Sequence, residues 1–320
     1  MSLKKSPTLS TSKIKIGITM GDPSGIGPEI IAKALPKIRN LAQFTIIGDK
    51  WVFDQAMRLC RLRALDSGFI NLNNINHKKF RFGQVRAEYG RASIEYLDKA
   101  LELLKKQKID CLVTCPVSKE AVNLSGLKFS GHTEYLANKT KTKDFVMMLL
   151  NDKLKFSLIT QHIPIYKVSR EINQGKINKT LKITYHGLKK LFGLKNPKIV
   201  VCGLNPHASD NGVIGNEEKK VIIPAIRRLD YAKGPISADI AISQAFEGKF
   251  DAVVVMYHDQ ALIPLKLSSK ETGVNLTLGL PFVRTSPLHG TAFDIAGKGV
   301  AHPESLISAI KLAVKCTQNL

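Results

Sequence analysis

Three histidines follow three apolar stretches of the chain, and their chemistry stands out first. His162, His207 and His258 each come shortly after a run of apolar residues, with a Pro or an Asp nearby. Neutral imidazoles that converge on one ion bind a divalent metal and leave open positions for substrate oxygens. Taken alone, each is better explained as a capping or surface residue, because no His-Glu-x-x-His signature is present. Their shared placement favours a metal site.

The middle and the C-terminal third of the chain also carry groups that bind anions. Arg284 ends an apolar run and can hold a carboxylate or phosphate in a bidentate fork, although it can equally serve backbone carbonyls. Lys266 follows His258 closely enough to reach the same rim, and a merely solvated lysine explains it as well. The segment Gly131-His-Thr-Glu adds compact donors, or else a helix cap. Together these residues indicate a site for a small anion.

The elements that must position these residues are those of an α/β protein. Short apolar runs alternate with amphipathic segments, which predicts a largely parallel sheet. Apolar residues at helical spacing predict a helix over 91–107, and another is predicted over 305–316. Ligands of open α/β sheets lie beyond the carboxyl ends of the strands, so the histidines are expected there. Strands are predicted at 14–20, 44–48, 109–114, 145–150, 156–160, 199–204, 252–257 and 274–278.

The glycine-rich segment after the first predicted strand matches neither common nucleotide motif. Gly25-Ile-Gly continues as Pro-Glu-Ile, so the dinucleotide fingerprint fails at its last glycine, and no P-loop is present. The segment still predicts a tight turn into a helix, with Pro28 in the first helical turn. Its backbone N–H groups either bind an anion or only form the turn, and the two interpretations are equally good.

The charge of the chain bears on its partners. Its 320 residues carry a formal net charge of +22, which attracts phosphates, nucleotides, nucleic acid or acidic lipids. The basic residues are dispersed, without interleaved aromatic residues or a nucleic-acid-binding signature, so we expect solvated helix faces and no nucleic-acid partner. No apolar run approaches the roughly 18 residues needed to cross a bilayer. A non-catalytic anion- or nucleic-acid-binding protein stays open as a second class of function.

Cysteine usage and the first residues bear on the compartment. Five scattered cysteines predict reduced thiols in a cytoplasmic protein. Residues 1–13 are rich in Lys, Ser and Thr, lack the apolar segment of a secretory signal, and are expected to form a disordered tail.

At this point the motifs resemble those of one family. The chain from about residue 14 onwards closely resembles the 4-hydroxythreonine-4-phosphate dehydrogenases of pyridoxine 5'-phosphate (vitamin B6) biosynthesis. The motifs that carry the resemblance are Thr19-Met-Gly-Asp-Pro-Ser-Gly-Ile-Gly-Pro-Glu-Ile, Gly131-His-Thr-Glu, Gly203-Leu-Asn-Pro-His-Ala, Tyr257-His-Asp-Gln, Val274-Asn-Leu-Thr-Leu-Gly-Leu-Pro, Arg284-Thr-Ser and His289-Gly-Thr-Ala.

The resemblance implies a fold, an assembly and a set of ligands. The fold is expected to be similar to isocitrate and isopropylmalate dehydrogenases, with two α/β/α subdomains around a cleft, at about 14–126 plus 285–320 and about 127–284. The assembly is a homodimer that shares its active site, with a divalent metal (zinc first, magnesium or cobalt as alternatives) on His162, His207 and His258. The implied substrate contacts are His132, Thr133, Lys266, Asn275 and Arg284.

The implied reaction is the oxidation of 4-phosphooxy-L-threonine with NAD or NADP, followed by loss of CO₂ to give 3-amino-2-oxopropyl phosphate. Lys266 and Asp239 are the candidates for the group that removes the hydroxyl proton. A paralogous dehydrogenase acting on a four-carbon phosphorylated sugar acid is the alternative. One position departs from the family: Leu288 stands where an Asp usually precedes the histidine that matches His289.

Overall fold

A mixed sheet forms the centre of the protein. The computed structural model describes residues 13–63, 67–269 and 272–320; most of the predicted tail, residues 1–12, lies outside them. The strands run in the order β3-β2-β1-β4-β11-β10-β5-β6-β9-β7-β8 across one sheet. In the described part of the chain they are β1 Lys15–Thr19, β2 Gln43–Gly48, β3 Gly68–Asn71, β4 Cys111–Thr114, β5 Val146–Leu150, β6 Lys155–Leu158, β7 Ile199–Cys202, β8 Ala232–Ile236, β9 Ala252–Val255, β10 Val274–Leu278 and β11 Val283–Pro287.

Helices connect most of these strands. They are α1 Gly27–Ile38, α2 Lys50–Leu59, α3 Ala87–Lys105, α4 Lys119–Leu124, α5 His132–Lys139, α6 Val168–Glu171, α7 Gln174–Phe192, α8 Ile223–Ile226, α9 Ala238–Phe246, α10 His258–Ser268 and α11 Glu304–Gln318. A short 3₁₀ turn lies at Ile165–Lys167, an irregular turn with positive φ values lies at Pro206–Gly212, and a π-helical turn at Glu218–Ile222 precedes α8. Both helices predicted from helical spacing are present, as α3 and α11, and the α/β class is confirmed.

The strands fall into two parallel sets that run in opposite directions. β3, β2, β1, β4 and β11 are parallel to one another, and β6, β9, β7 and β8 form a second parallel set. Between the sets, β10 is antiparallel to β11 and β5, and β5 is antiparallel to β6. The expectation of a largely parallel sheet is therefore correct within each set. The carboxyl ends of one set therefore lie on the same side of the sheet as the amino ends of the other set.

Both faces of the sheet are covered. Along β5, Val146, Met148 and Leu150 pack into the large core cluster, whereas Met147 and Leu149 pack into a second cluster on the other face. Side chains that alternate in this way belong to a strand buried on both sides, which explains why β5 has no polar residue. The second cluster includes residues of α9 and α10.

The strands of both predicted subdomains belong to this single sheet. The predicted boundary at 126 falls between α4 and α5, and the boundary at 284 falls within β11, which pairs with β4 and β10. Three strands, β3, β8 and β11, are absent from the sequence-based prediction; β3 and β8 are partly exposed edge strands with weak apolar patterns. No helix in the described ranges is both long enough and apolar enough to cross a membrane.

Candidate active site

A cavity of about 250 Å³ lies over the middle strands of the sheet. Asn275 pairs with Ser286 on one side and with Leu149 on the other, so these side chains point to the same face. The loops after β4, β6 and β9 complete the walls. The cavity therefore lies on a face of the sheet, where the two sets of strands meet, and not beyond one common edge. The polar residues that line it include Thr114, Lys119, His132, Thr133, Glu134, His162, His258, Asn275, Arg284, Ser286 and His289.

Arg284 is a buried cation whose hydrogen-bond partners among the described residues are all threonine hydroxyls. Its side chain is 2% exposed. Nη2 and Nε donate to Thr114 Oγ1 at 2.7 and 3.2 Å, and Nη1 donates to Thr277 Oγ1 at 3.2 Å. Burial lowers the pKa of Arg284 to about 10, with the carboxylate of Glu134 partly offsetting this effect. Hydroxyls orient the guanidinium without neutralising it, so the cavity retains a positive charge for an anion.

Unpartnered polar atoms line the same cavity as Arg284. His132 Nε2, Asn275 Oδ1 and His289 Nε2 are buried and have no hydrogen-bond partner among the described residues. Thr133 Oγ1 lies 3.4 Å from Thr277 Oγ1 and accepts a longer bond from Arg284. Buried polar atoms are normally satisfied, so a set of orphans around one cavity indicates a polar ligand.

His162 and His258 lie side by side in the cavity. Their ring centroids are 5.4 Å apart. His258 is the first residue of α10, and its Nδ1 lies 2.7 Å from Asp259 Oδ1, which leaves Nε2 free. A carboxylate on the second ring nitrogen is the usual support of a metal-binding histidine. Burial lowers the pKa of His162, with the positive charges of Lys119 and His258 adding to the effect, so its imidazole favours the neutral, ligating form.

His207 lies apart from this pair, on a strained turn. It is exposed, and with the next four residues it occupies the left-handed region of backbone space, with φ between 45° and 72° from 207 to 211. None of the five is glycine, and a positive φ costs residues other than Gly, Asn and Asp about 1–2 kcal/mol each. Within 13–63, 67–269 and 272–320, no three His, Cys, Asp or Glu side chains come together in a metal-binding arrangement. One chain therefore brings together two of the three predicted ligands.

Lys266 and Asp239, the two predicted proton acceptors, lie outside the cavity walls. Lys266 is exposed and lines an adjoining cavity of about 140 Å³, together with His289 and His302. Asp239 lies on α9, close enough to His207 for the charge of that histidine to act on it. The hydroxyl of Ser237 is the main cause that lowers the pKa of Asp239. The structure thus groups Asp239 with His207, and Lys266 with His289.

Leu288 separates the two cavities. It lines both of them and packs with the apolar cluster beneath α10. A Cβ atom at Gly273 would lie only 2.6 Å from Leu288 Cδ1, so leucine fills the space that glycine leaves. The Ser305 hydroxyl fixes the backbone there, because it accepts from Leu288 N at 3.2 Å and donates to Gly273 O at 2.6 Å.

The glycine-rich segment after β1 uses its backbone donors internally. Asp22 N donates to Pro116 O, Gly25 N to Asp22 O and Ile26 N to Thr291 O. Of the two interpretations of this segment, the structure favours the turn. Asp22 itself is fully buried, with Oδ1 accepting from Ser24 and Oδ2 unpartnered among the described residues. Burial raises the pKa of Asp22 to about 6, although the hydrogen bonds from Ser24 work against that rise.

Sequence reasoning missed three residues of the cavity wall or its support. Thr114 and Thr277 hold Arg284, and Lys119 lines the cavity together with Glu134 of the predicted Gly131-His-Thr-Glu segment. Thr114 closes a predicted strand and Lys119 follows it closely, so position at a strand end was a usable signal for both. Thr277 lies inside a strand and carries no such signal.

Comparison with known proteins agrees with this geometry. The chain is 43% identical over 318 residues to the 4-hydroxythreonine-4-phosphate dehydrogenase of Sulfurihydrogenibium sp. (strain YO3AOP1), covering 94% of this chain and 98% of the relative. It is 41% identical to the D-threonate 4-phosphate dehydrogenase of Cupriavidus necator, covering 92% and 95%. A crystal structure of the Klebsiella pneumoniae 4-hydroxythreonine-4-phosphate dehydrogenase superposes with a TM-score of 0.86 at 36% identity, covering 97% of this chain and all of that one.

The family profile covers most of the chain. The profile described as "Pyridoxal phosphate biosynthetic protein PdxA" matches residues 40–313, a range that includes every residue named above for the cavity. The ordered motifs, the high coverage of the relatives and the shared fold lead to one conclusion: this chain belongs to the PdxA family.

Proposed function

We propose that the chain is a nicotinamide-dependent 4-hydroxythreonine-4-phosphate dehydrogenase. It would oxidise 4-phosphooxy-L-threonine and release CO₂ to give 3-amino-2-oxopropyl phosphate, for pyridoxine 5'-phosphate (vitamin B6) biosynthesis. The observation that carries the proposal is Arg284, a buried cation without an anionic hydrogen-bond partner among the described residues, at the base of a cavity lined by unpartnered polar atoms. A phosphate supplies the charge and the acceptor oxygens that these groups lack.

The substrate contacts follow from the same groups. Arg284, Thr133, His132 and Asn275 surround one end of the cavity and hold the phosphate. Burial, followed by the charge of Arg284, lowers the pKa of His132 well below its ordinary value, so its imidazole stays neutral and its free nitrogen can donate or accept. Lys266 approaches from the adjoining cavity, on the far side of Leu288. Fixing the substrate in this way directs its C3 hydrogen toward the cofactor.

A divalent metal fits the other end. His162 and His258 offer imidazole nitrogens, which are ligands that zinc prefers, with cobalt or magnesium as alternatives. A metal bound there would polarise the substrate hydroxyl and stabilise negative charge on its oxygen. The bound NAD or NADP would accept the hydride. The hydroxyl proton would pass to a side chain, for which Lys266 and Asp239 remain the candidates.

The third ligand is proposed to come from a second copy of the chain. An exposed apolar side chain follows each of the three histidines in the sequence: Tyr166 after His162, Val213 after His207 and Leu267 after His258. Val213 is 82% exposed and Leu267 80%, so a partner that covered them would remove apolar surface from water. A symmetric homodimer that buries these residues can bring His207 of the partner subunit to the pair formed by His162 and His258.

A reducing, cytoplasmic location accompanies this function. The five cysteines are all free. Burial raises the pKa of Cys111 and Cys202 to about 12, so both remain unreactive thiols.

A second candidate is the oxidation of D-threonate 4-phosphate, which the 41% identical relative from Cupriavidus necator favours. The two substrates differ at C2, where one carries an ammonium and the other a hydroxyl. Glu134 is the one carboxylate among the described residues that line the cavity, and an ammonium would gain more from it than a hydroxyl would.

The test is a comparison of both substrates in an assay of NADH formation, with metal-loaded and chelator-treated enzyme. A higher kcat/KM for 4-phosphooxy-L-threonine, lost with the metal, supports the proposal. A preference for D-threonate 4-phosphate favours the second candidate, and turnover of neither substrate refutes both.

A further inference from the structure

Lys119 is a second cation at the cavity, and the function proposed above leaves it without a role. It is the first residue of α4, where the Ser118 hydroxyl accepts from Ala121 N at 3.1 Å and fixes the start of the helix. Its side chain is exposed and lines both the cavity and a neighbouring groove of about 590 Å³. The ion pairs formed between described residues do not include Lys119.

The two spaces that Lys119 lines locate its side chain. It lines the cavity together with Arg284 and His132. It also lines the neighbouring groove together with His162 and Glu134, a groove that neither Arg284 nor His132 lines. Lys119 therefore lies on the side of the cavity toward His162 and away from Arg284.

The proposed substrate has two anionic ends, a phosphate and a carboxylate. If Arg284 holds the phosphate, the four-carbon chain extends from there toward the histidine pair, and its carboxylate needs a cation in that direction. Lys266 lines the adjoining cavity and not this one, and Glu134 repels a carboxylate. Resting on the function proposed above, we infer that Lys119 binds the carboxylate of the substrate and so acts as a second charged anchor.

This assignment has a consequence for turnover. Two anchors fix the substrate against rotation about its phosphate, which places C3 more closely than one anchor does. When the carboxylate leaves as CO₂, Lys119 loses its partner and the product retains only the phosphate anchor. Lys119 should therefore strengthen the binding of the substrate and leave the binding of phosphate esters without a carboxylate unchanged.

The experiment compares how three variants bind two ligands. Lys119→Met removes the charge, Lys119→Arg keeps it, and Lys105→Met removes an exposed charge on α3 as the matched control. Calorimetry on the metal-loaded protein without nucleotide gives dissociation constants for 4-phosphooxy-L-threonine and for glycerol 3-phosphate. We expect Lys119→Met to weaken the binding of 4-phosphooxy-L-threonine by about 10–100-fold and that of glycerol 3-phosphate by less than about twofold. Lys119→Arg should keep most of the affinity, and Lys105→Met should match the wild type.

The outcomes separate the inference from the function on which it rests. Unchanged affinity of Lys119→Met for 4-phosphooxy-L-threonine, or equal weakening of both ligands, overturns the role of Lys119. If the wild type binds D-threonate 4-phosphate instead, the function proposed first is wrong. The same comparison with that ligand then decides the role of Lys119, because D-threonate 4-phosphate also has a carboxylate.

Discussion

Arg284 and Thr114 are joined by two hydrogen bonds across neighbouring strands, with both Nη2 and Nε of the arginine donating to the single hydroxyl oxygen, at 2.7 and 3.2 Å. This fork would hold a carboxylate just as well, yet the partner carries no charge. The guanidinium is therefore oriented by the protein and neutralised only by a ligand. A site built in this way sacrifices stability of the free protein for affinity.

Replacing Arg284 by Met should separate these two effects. We expect kcat/KM to fall by about 100–1000-fold, because the bound phosphate loses its charged partner. The free protein should become more stable, by about 1–3 kcal/mol, because an uncompensated buried charge is removed. Thermal unfolding and steady-state kinetics test both halves, with Thr114→Ser as a control that keeps the hydroxyl. A less stable Arg284→Met protein would show that the arginine is structural.

Mixed dimers test the shared site. His162 and Arg284 line the same cavity of one chain, so inactive variants at these two positions should not restore activity when mixed. His207→Ala mixed with Arg284→Met should restore it, to about a quarter of the wild-type level, because half of the random dimers then contain one intact site. The measurement is NADH formation after joint refolding. Absence of activity in the second mixture, with dimers present, contradicts a ligand supplied by the partner.

Leu288→Asp should lower the stability without raising the turnover. The half-buried leucine packs against Gly273 and the apolar cluster under α10, so a carboxylate there would lose this packing and part of its hydration. We expect a loss of about 1–3 kcal/mol in the free energy of unfolding. Leu288→Met, which keeps the volume, should cost less than about 1.5 kcal/mol. A large gain in kcat with unchanged melting temperature would mean that the family carboxylate is catalytic here as well.

Asp22 gives the stability a pH dependence of known sign. Its pKa is raised to about 6 in the folded protein, against about 3.9 in an unfolded chain, so the folded state holds the proton more tightly. Stability from this group is present below pH 4 and is lost as the pH rises to 6, by about 3 kcal/mol at most. The stability of Asp22→Asn relative to the wild type should therefore increase as the pH rises from 4 to 8. Equal melting temperatures of the two proteins at both pH values would refute a buried, hard-to-ionise carboxyl group.

Some of the site was predictable because strand ends are visible in a sequence. His162 and His258 follow β6 and β9, which are neighbours in the sheet, so the rings meet as expected. Arg284 was recognised from its type, but its surroundings were not. Thr114 and Thr277 reach it only because β11 lies between β4 and β10, and strand order is not visible in local patterns.

The parts of the site that the sequence did not predict depend on contacts between segments that are distant in the chain. The accommodation of Leu288 needs Gly273 and Ser305, each from another element. His207 follows β7, which is parallel to β6 and β9, so strand direction does not explain its separate position. Its backbone instead enters a left-handed turn that propensity rules disfavour. Local patterns predicted eight of the strands and two helices. They did not predict that the sheet contains two parallel sets of opposite direction, whose carboxyl ends lie on opposite sides of the sheet.

The left-handed turn from 207 to 211 has a consequence for how the chain can change under selection. Glycine adopts such a backbone without strain, so a library selected only for resistance to heat should accumulate glycine at Ala208 and Asn211. A library selected for turnover should retain residues other than glycine at these two positions, because a flexible turn would position His207 less precisely. Sequencing the two libraries would show opposite enrichments at the same codons. Such a result would show that thermal stability and catalytic turnover favour different residues at the same backbone position.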